Sequence, residues 1–193
     1  MNGREAAILA DVMRLAYERG LINILGGNAS IRLRDGFLIT PSQKPKNMLR
    51  AEDMVFVDWD EGPKGHASME WMMHREVYRA SGSYEAVIHT HNPLTLALHE
   101  AGLKIDPAQY VEAYSIGPCI EVVPRLPPGS RELAEAVGNA VKRCRVAVLL
   151  GHGVVAAAPG IYEALDAVEA LEDIARIRLL SLVGGMHQAS RKP

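Results

Sequence analysis

The stretch Ala29–Thr40, ASIRLRDGFLIT, decides the fold class. Ala29 to Arg34 alternates apolar and polar residues, Asp35-Gly36 is a tight-turn dipeptide, and Phe37 to Thr40 is rich in β-formers, so the stretch predicts a hairpin. A second close pair flanks Gly151-His152-Gly153, with Ala147-Val-Leu-Leu before it and Val154-Val-Ala-Ala after it. Strands joined this closely run antiparallel, because parallel neighbours need a long crossover. Further strands are expected at Met54–Trp59, Ala86–His91 and Cys119–Val123. Helices are expected over Arg4–Arg19, closed by Gly20, and over Met69–Arg79 with Ser68 as N-cap. Others are expected over Pro93–Glu100, from Ser130 to about Arg143, and over Ile161–Val183. Pro41–Arg50 reads as a polar, solvated basic loop, and Leu103–Gly117 is ambiguous. Together these predict an α/β fold with a mixed, mostly antiparallel sheet and helices on both faces, which excludes a simple Rossmann arrangement.

Length and charge narrow the function. A chain of 193 residues that is 48 % hydrophobic fits one domain, 1–193, with a sizeable core. Its 21 Lys+Arg nearly cancel 23 Asp+Glu, so no basic field exists to attract nucleic acid or an anionic membrane. The N-terminal residues carry Glu5 and Asp11 and offer no signal-peptide core, and the most apolar run, Val146–Ala158, is too short to span a bilayer. A cytoplasmic location is therefore expected, with Cys119 and Cys144 as reduced thiols. No GxGxxG or Walker A spacing is present, so a nucleotide cofactor has no sequence support.

The sharpest local feature is His89-Thr90-His91. Residues two apart in a strand project from one face, so these imidazoles can converge on a single cation. Catalytic zinc typically takes three protein ligands, and His152, between two glycines at a strand break, is the best third candidate. His66, His74, His99 and His187 lack a second ligand at metal spacing and read as surface or satisfied structural residues. Glu70, taken alone, reads as an acid at a helix start.

Taken together, these residues resemble the class II aldolase/adducin family, most closely its L-fuculose-1-phosphate aldolase-like members. Gly27-Asn28-Ala29-Ser30 is similar to that family's G-N-x-S turn, Leu38-Ile-Thr-Pro-Ser42 to its L-I-T-P-[ST] segment, and Ser68-Met69-Glu70 to its S-S-E. His89-Thr-His91 matches its H-x-H, and His152-Gly153 its H-G element. The resemblance implies a three-layer α/β/α fold, a homotetramer with sites at subunit interfaces, and one divalent metal per subunit, usually zinc. It implies His89, His91 and His152 as ligands and Glu70 as acid/base, able to touch the metal when substrate is absent. It implies Tyr110, with Tyr114 as the alternative, as a proton donor reaching in from a neighbouring subunit. Phosphate of a small sugar substrate would be held by Gly27, Asn28, Ser42 and Ser68. For its task Glu70 is expected to have a pKa raised toward neutrality by a dry pocket once metal is no longer its partner.

Two positions depart from the family pattern. Gln43 stands where glycine is usual and Met69 where a second serine is usual, so the phosphate site or the substrate is expected to differ. Lys44, Lys46 and Arg50 follow in the loop and read first as solvated charge, with charge supplied to an anion as the alternative. The implied activity is an aldolase splitting a ketose 1-phosphate into dihydroxyacetone phosphate and a small aldehyde such as lactaldehyde. The alternatives on the same metal are a methylthioribulose-phosphate dehydratase, a pentulose-phosphate 4-epimerase or a sugar-acid decarboxylase. A non-catalytic, adducin-like binding module is the reading from a different class.

Overall fold

The computed structural model describes residues 3–189, with side chains to Gly184. Eight strands form one sheet: β1 (Asn28–Leu33), β2 (Gly36–Ile39), β3 (Val55–Asp58), β4 (Gly62–Pro63), β5 (Ala86–Thr90), β6 (Ile120–Val123), β7 (Val146–Leu149) and β8 (Gly153–Ala158). Their spatial order is β4-β3-β2-β1-β5-β8-β7-β6. Every pairing is antiparallel except β6 with β7. Five helices flank the sheet: α1 (Gly3–Glu18), α2 (Trp71–Ala80), α3 (Pro93–Glu100), α4 (Arg131–Val141) and α5 (Ile161–Ala189).

The sheet is buried on both faces, which is why β7 and β8 are continuous apolar runs rather than alternating ones. On β8, Val154, Ala156 and Ala158 face α1, α3 and α5, while Val155 and Ala157 face α2 and α4. This gives the expected three layers. The α1 stripe Leu9, Val12, Met13 and Ala16 is buried against the sheet, and Gly20 at φ 73 lets the chain turn out of the helix. Ser130 caps α4 by accepting from the Leu133 N–H at 3.1 Å. No helix among the described residues is long and apolar enough to cross a membrane.

Several expectations need correction. Helix α2 begins at Trp71 with Glu70 at the cap position; Ser68 instead forms a preceding turn, its Oγ accepting from the Glu70 N–H at 3.3 Å. The ambiguous segment resolves into two short 3-10 turns, Pro107–Gln109 and Val111–Tyr114. Cys119 and Cys144 are joined in a disulfide with Cα atoms 5.3 Å apart, not held as free thiols. Parallel pairing of β6 with β7, Ile120 opposite Val146, brings the two strand starts together, so Cys119, one residue before β6, lies near Cys144, two before β7. Helix α5 continues past the expected end at Val183 to Ala189; residues 190–193 lie outside the described residues.

Candidate metal centre and its anion pocket

The site forms where β5 ends. Val87 packs into the core on the α2/α4 side, so His89 and His91, two and four residues on, point to that same face. Glu70 sits at the start of α2 on this side, and the β7–β8 turn delivers His152. Close packing demands glycine here: a Cβ on Gly153 would lie 2.2 Å from the Thr90 carbonyl and 2.9 Å from His89 Cε1. Behind the histidines, the Thr90 hydroxyl donates to Asn92 Oδ1 at 2.5 Å and the Asn92 amide donates to the Val168 carbonyl at 2.7 Å. Buried Glu172 accepts from the Leu94 and Thr95 N–H groups at 2.8 and 3.0 Å, anchoring the start of α3 to α5.

One ligand nitrogen from each of His89, His91 and His152 lies within 4.8 Å of the other two. His89 Nδ1–H donates to the Val154 carbonyl at 2.9 Å, so in the neutral ring Nε2 carries the lone pair. That nitrogen faces Glu70 Oε2 at 3.2 Å, and His152 Nε2 faces Glu70 Oε1 at 3.4 Å. Two acceptors so placed repel unless a cation or a proton lies between them. His89 Nε2, Glu70 Oε1 and His152 Nδ1 are buried without a hydrogen-bond partner among the described residues. Burial, reinforced by the neighbouring histidines, lowers the His91 pKa to about 4 and pulls His152 down, which keeps both rings in the neutral form that binds metal. The donor set, the orphaned atoms and the spacing fit a divalent metal.

Two opposing influences act on Glu70. Burial pushes its carboxyl up, while His89 and the Asn28 amide, which donates to Oε2, draw it down, with the balance below the ordinary carboxylate value. The group is therefore ionised near neutral pH in this arrangement of side chains.

A buried chain of hydrogen bonds stands behind this carboxylate. The Asn28 amide donates to Glu70 Oε2 at 3.1 Å, which leaves Asn28 Oδ1 to accept from His74 Nε2–H at 2.5 Å. His74 Nδ1 then accepts from the Ser30 hydroxyl at 2.7 Å, and Ser30 Oγ accepts from the Tyr78 hydroxyl at 2.7 Å. Every donor in the row points toward Glu70, so the chain is polarised to hold negative charge there. Burial lowers the His74 pKa to about 3, so this ring remains neutral. Asn28, Ser30, His74 and Tyr78 are tied by strand and helix register, since Asn28 opposes His89 on the neighbouring strand. His74 is thus structural, as read from sequence, but it serves the site; among single residues its only signal was its place four residues after Glu70 on α2.

Glu70, His91 and His152 border a cavity of about 400 Å³ with Gly27, Asn28, Ser42 and Ser68 on its walls. All four residues expected to hold phosphate therefore reach one space with the metal ligands. The Ser42 and Ser68 N–H groups, however, already donate to the His66 and Thr40 carbonyls at 3.0 and 3.1 Å, so their hydroxyls are what they offer a ligand. Gln43 is strained at φ 52, in the left-handed region its usual glycine adopts freely. Met69, 63 % exposed, overhangs the cavity. Lys46 contradicts its reading as solvated loop charge: it is 2 % exposed and lines the same cavity. Its position after Pro41 and Pro45, in a loop folded back on Ile24, is a tertiary effect with no local sequence signal.

Tyr110 does not line this cavity. It is half-buried beside a separate hollow with Val111, Tyr114 and Arg145, where Val111 and Tyr114 are each 91 % exposed. His66 lies exposed in the loop before Ser68, His99 Nδ1–H donates to the Thr95 carbonyl at 2.9 Å within α3, and His187 lies beyond the described side chains.

Comparison with known proteins agrees with this geometry. A sequence model of the family described as Class II Aldolase and Adducin N-terminal domain matches residues 7–179. The chain is similar to an L-fuculose phosphate aldolase of Haemophilus influenzae, 33 % identical over 171 residues that cover 84 % of this chain and 77 % of the relative. It is also similar to a 5-methylthioribulose-1-phosphate/5-deoxyribulose-1-phosphate aldolase of Rhodospirillum rubrum, 31 % identical over 86 % of this chain and 76 % of that one. The crystal structure of an L-fuculose-1-phosphate aldolase from Thermus thermophilus superposes with a TM-score of 0.86 at 29 % identity, over 96 % of this chain and 98 % of the other.

Proposed function

This chain belongs to the class II aldolase and adducin family, and we propose that it is a zinc-dependent aldolase that cleaves and forms a ketose 1-phosphate. The products of cleavage are dihydroxyacetone phosphate and a small aldehyde such as lactaldehyde. The observation that carries the reading is Glu70, with its two oxygens against His89 and His152 of the three-histidine cluster and bordering one cavity with two serines. His89, His91 and His152 would hold the metal, which supplies a Lewis acid that lowers the cost of negative charge on substrate oxygens.

The remaining work falls to the protein. In the condensation direction Glu70 takes the proton from the hydroxyl-bearing carbon of dihydroxyacetone phosphate; the freed electron pair forms the bond to the aldehyde carbon. The aldehyde oxygen then needs a proton, and the proposed donor is Tyr110 of a neighbouring subunit in a homotetramer. Its absence from the chain's own cavity is consistent with that role. The Asn28–His74–Ser30–Tyr78 row orients Glu70 and does not touch substrate. Ser42 and Ser68 offer hydroxyls to the phosphate.

The test is cleavage of L-fuculose 1-phosphate and of 5-deoxyribulose 1-phosphate by metal-loaded protein, read by a coupled assay for dihydroxyacetone phosphate. Cleavage of either, abolished by Glu70→Gln and by His91→Ala, supports the reading; no carbon–carbon cleavage of any ketose 1-phosphate sinks it. Met69 over the cavity favours a second reading, a dehydratase, epimerase or decarboxylase on the same metal. Water loss, inversion or carbon dioxide release without dihydroxyacetone phosphate would establish that one instead.

A further inference from the structure

Lys46 is the one lysine on the cavity wall, and its surroundings are unusual for a charge. Its side chain is 2 % exposed, and no carboxylate among the described residues lies within ion-pair distance of it. The ammonium donates to the Pro41 carbonyl at 3.3 Å and to the Lys44 carbonyl at 3.1 Å, which uses two of its three N–H groups. Its own backbone N–H donates to the Ile24 carbonyl at 2.8 Å, which pins the loop beside the Gly26-Gly27 turn. Lys44, by contrast, is paired with Asp53 on the exposed side of the same loop. Buried lysines without an anionic partner are rare, because the desolvated charge is costly.

We propose that Lys46 is the anion-recognising residue of this pocket, its free N–H and its charge binding the phosphate ester of the substrate together with the Ser42 and Ser68 hydroxyls. The inference deepens the aldolase reading and rests on it for the identity of the phosphorylated molecule. Three observations lead to it besides the burial. The Ser42 and Ser68 backbone N–H groups are spent on His66 and Thr40, so these two residues offer an anion only their hydroxyls. Met69 supplies no hydroxyl, and Gln43 holds its strained backbone at the cavity edge. A fixed cation replaces what those positions fail to provide. Burial also pulls the Lys46 pKa below the usual lysine value, a penalty that an incoming dianion relieves.

The consequence is selectivity for charge over shape. A ketose without its phosphate would lose the ammonium contact while keeping every contact with the metal and Glu70. The probe is inorganic phosphate, titrated calorimetrically into zinc-loaded protein, with KM and kcat measured for a ketose 1-phosphate alongside. Lys46→Met is expected to weaken phosphate binding and raise KM by about tenfold to a hundredfold, with zinc content and kcat at saturation little changed. Lys46→Gln keeps an N–H donor for the loop carbonyls but not the charge, and the same loss is expected of it. Phosphate binding at wild-type strength in Lys46→Gln, or in a folded Lys46→Met, would overturn the proposal and leave Lys46 as a brace for the loop. Wild-type protein that binds no phosphate would overturn it too. Tight phosphate binding lost in both variants, in a protein that cleaves no ketose phosphate, would keep the anion site and remove the aldolase reading.

Discussion

The two walls of the cavity are built differently. On one side, His89, His91, Glu70 and Asn28 stand on the end of a central strand, a helix start and the neighbouring strand, with His89, Glu70 and Asn28 anchored from behind by buried hydrogen bonds. On the other, Ser42, Gln43, Lys46 and Met69 come from loops, with one strained backbone, one exposed methionine and one unpaired buried cation. The first wall is rigid because its residues belong to a sheet buried on both faces; the second is set by loops, where side chains change without disturbing the core. Side chains can therefore vary on the loop wall while the wall that carries His91 and Glu70 stays fixed.

The sharpest way to break this contrast is at the rigid wall. Glu70→Gln should reduce turnover on the order of a thousandfold while the protein still binds one zinc, measured by metal analysis and steady-state kinetics. His91→Ala should lose the zinc itself. A step further back, His74→Gln removes the ring that hands a donor to Asn28 and should lower kcat by about tenfold to a hundredfold with KM little changed. A merely structural role for His74 would shift the thermal midpoint and leave kcat per folded molecule alone.

The same ring has a consequence for stability. His74 is neutral in the folded protein down to about pH 3, whereas an unfolded histidine protonates near its ordinary value of 6.5. Below that value the unfolded chain binds the extra proton, so stability is lost as pH falls from about 6.5 toward 3. Chemical denaturation across that window should show the decline, and it should be shallower in His74→Gln.

The loop wall should give smaller, separable effects. Met69→Ser restores a hydroxyl beside Ser68 and is expected to tighten phosphate binding about threefold to tenfold without changing zinc affinity. Smallest of all, Gln43→Gly relieves the left-handed backbone and should raise stability by about 0.5 to 1 kcal/mol, the strain gain being partly offset by a freer unfolded chain. An unchanged or lowered midpoint would show that the loop, rather than the residue, sets that conformation.

The same contrast governs what was legible in the sequence. His89 and His91 could be paired from strand parity alone, because period-two geometry is local. The hairpin at Asp35-Gly36 and the break at Gly151–Gly153 likewise carry their antiparallel pairing in the turn residues. His152 could be named as third ligand from its flanking glycines at a strand break, whereas Glu70 needed the resemblance to a family, since its contact with β5 spans about twenty residues of chain. His74 and Lys46 were legible only as types. Their burial comes from a helix packed over β1 and from a loop folded onto Ile24, and neither contact leaves a periodic trace. The disulfide belongs with them, since the register of β6 on β7 sets the two cysteines together and their spacing does not.

That Glu70 moves the carbon-bound proton at a three-histidine metal site is open to one direct measurement, whatever aldehyde the protein accepts. Zinc-loaded protein is incubated with dihydroxyacetone phosphate alone in deuterated water, and hydrogen exchange at the hydroxyl-bearing carbon is followed by NMR. Stereospecific exchange of one hydrogen is expected of the wild type, and none of a Glu70→Gln variant that retains its zinc. Exchange at an equal rate in Glu70→Gln, or none in a wild type with full zinc occupancy, would contradict that role.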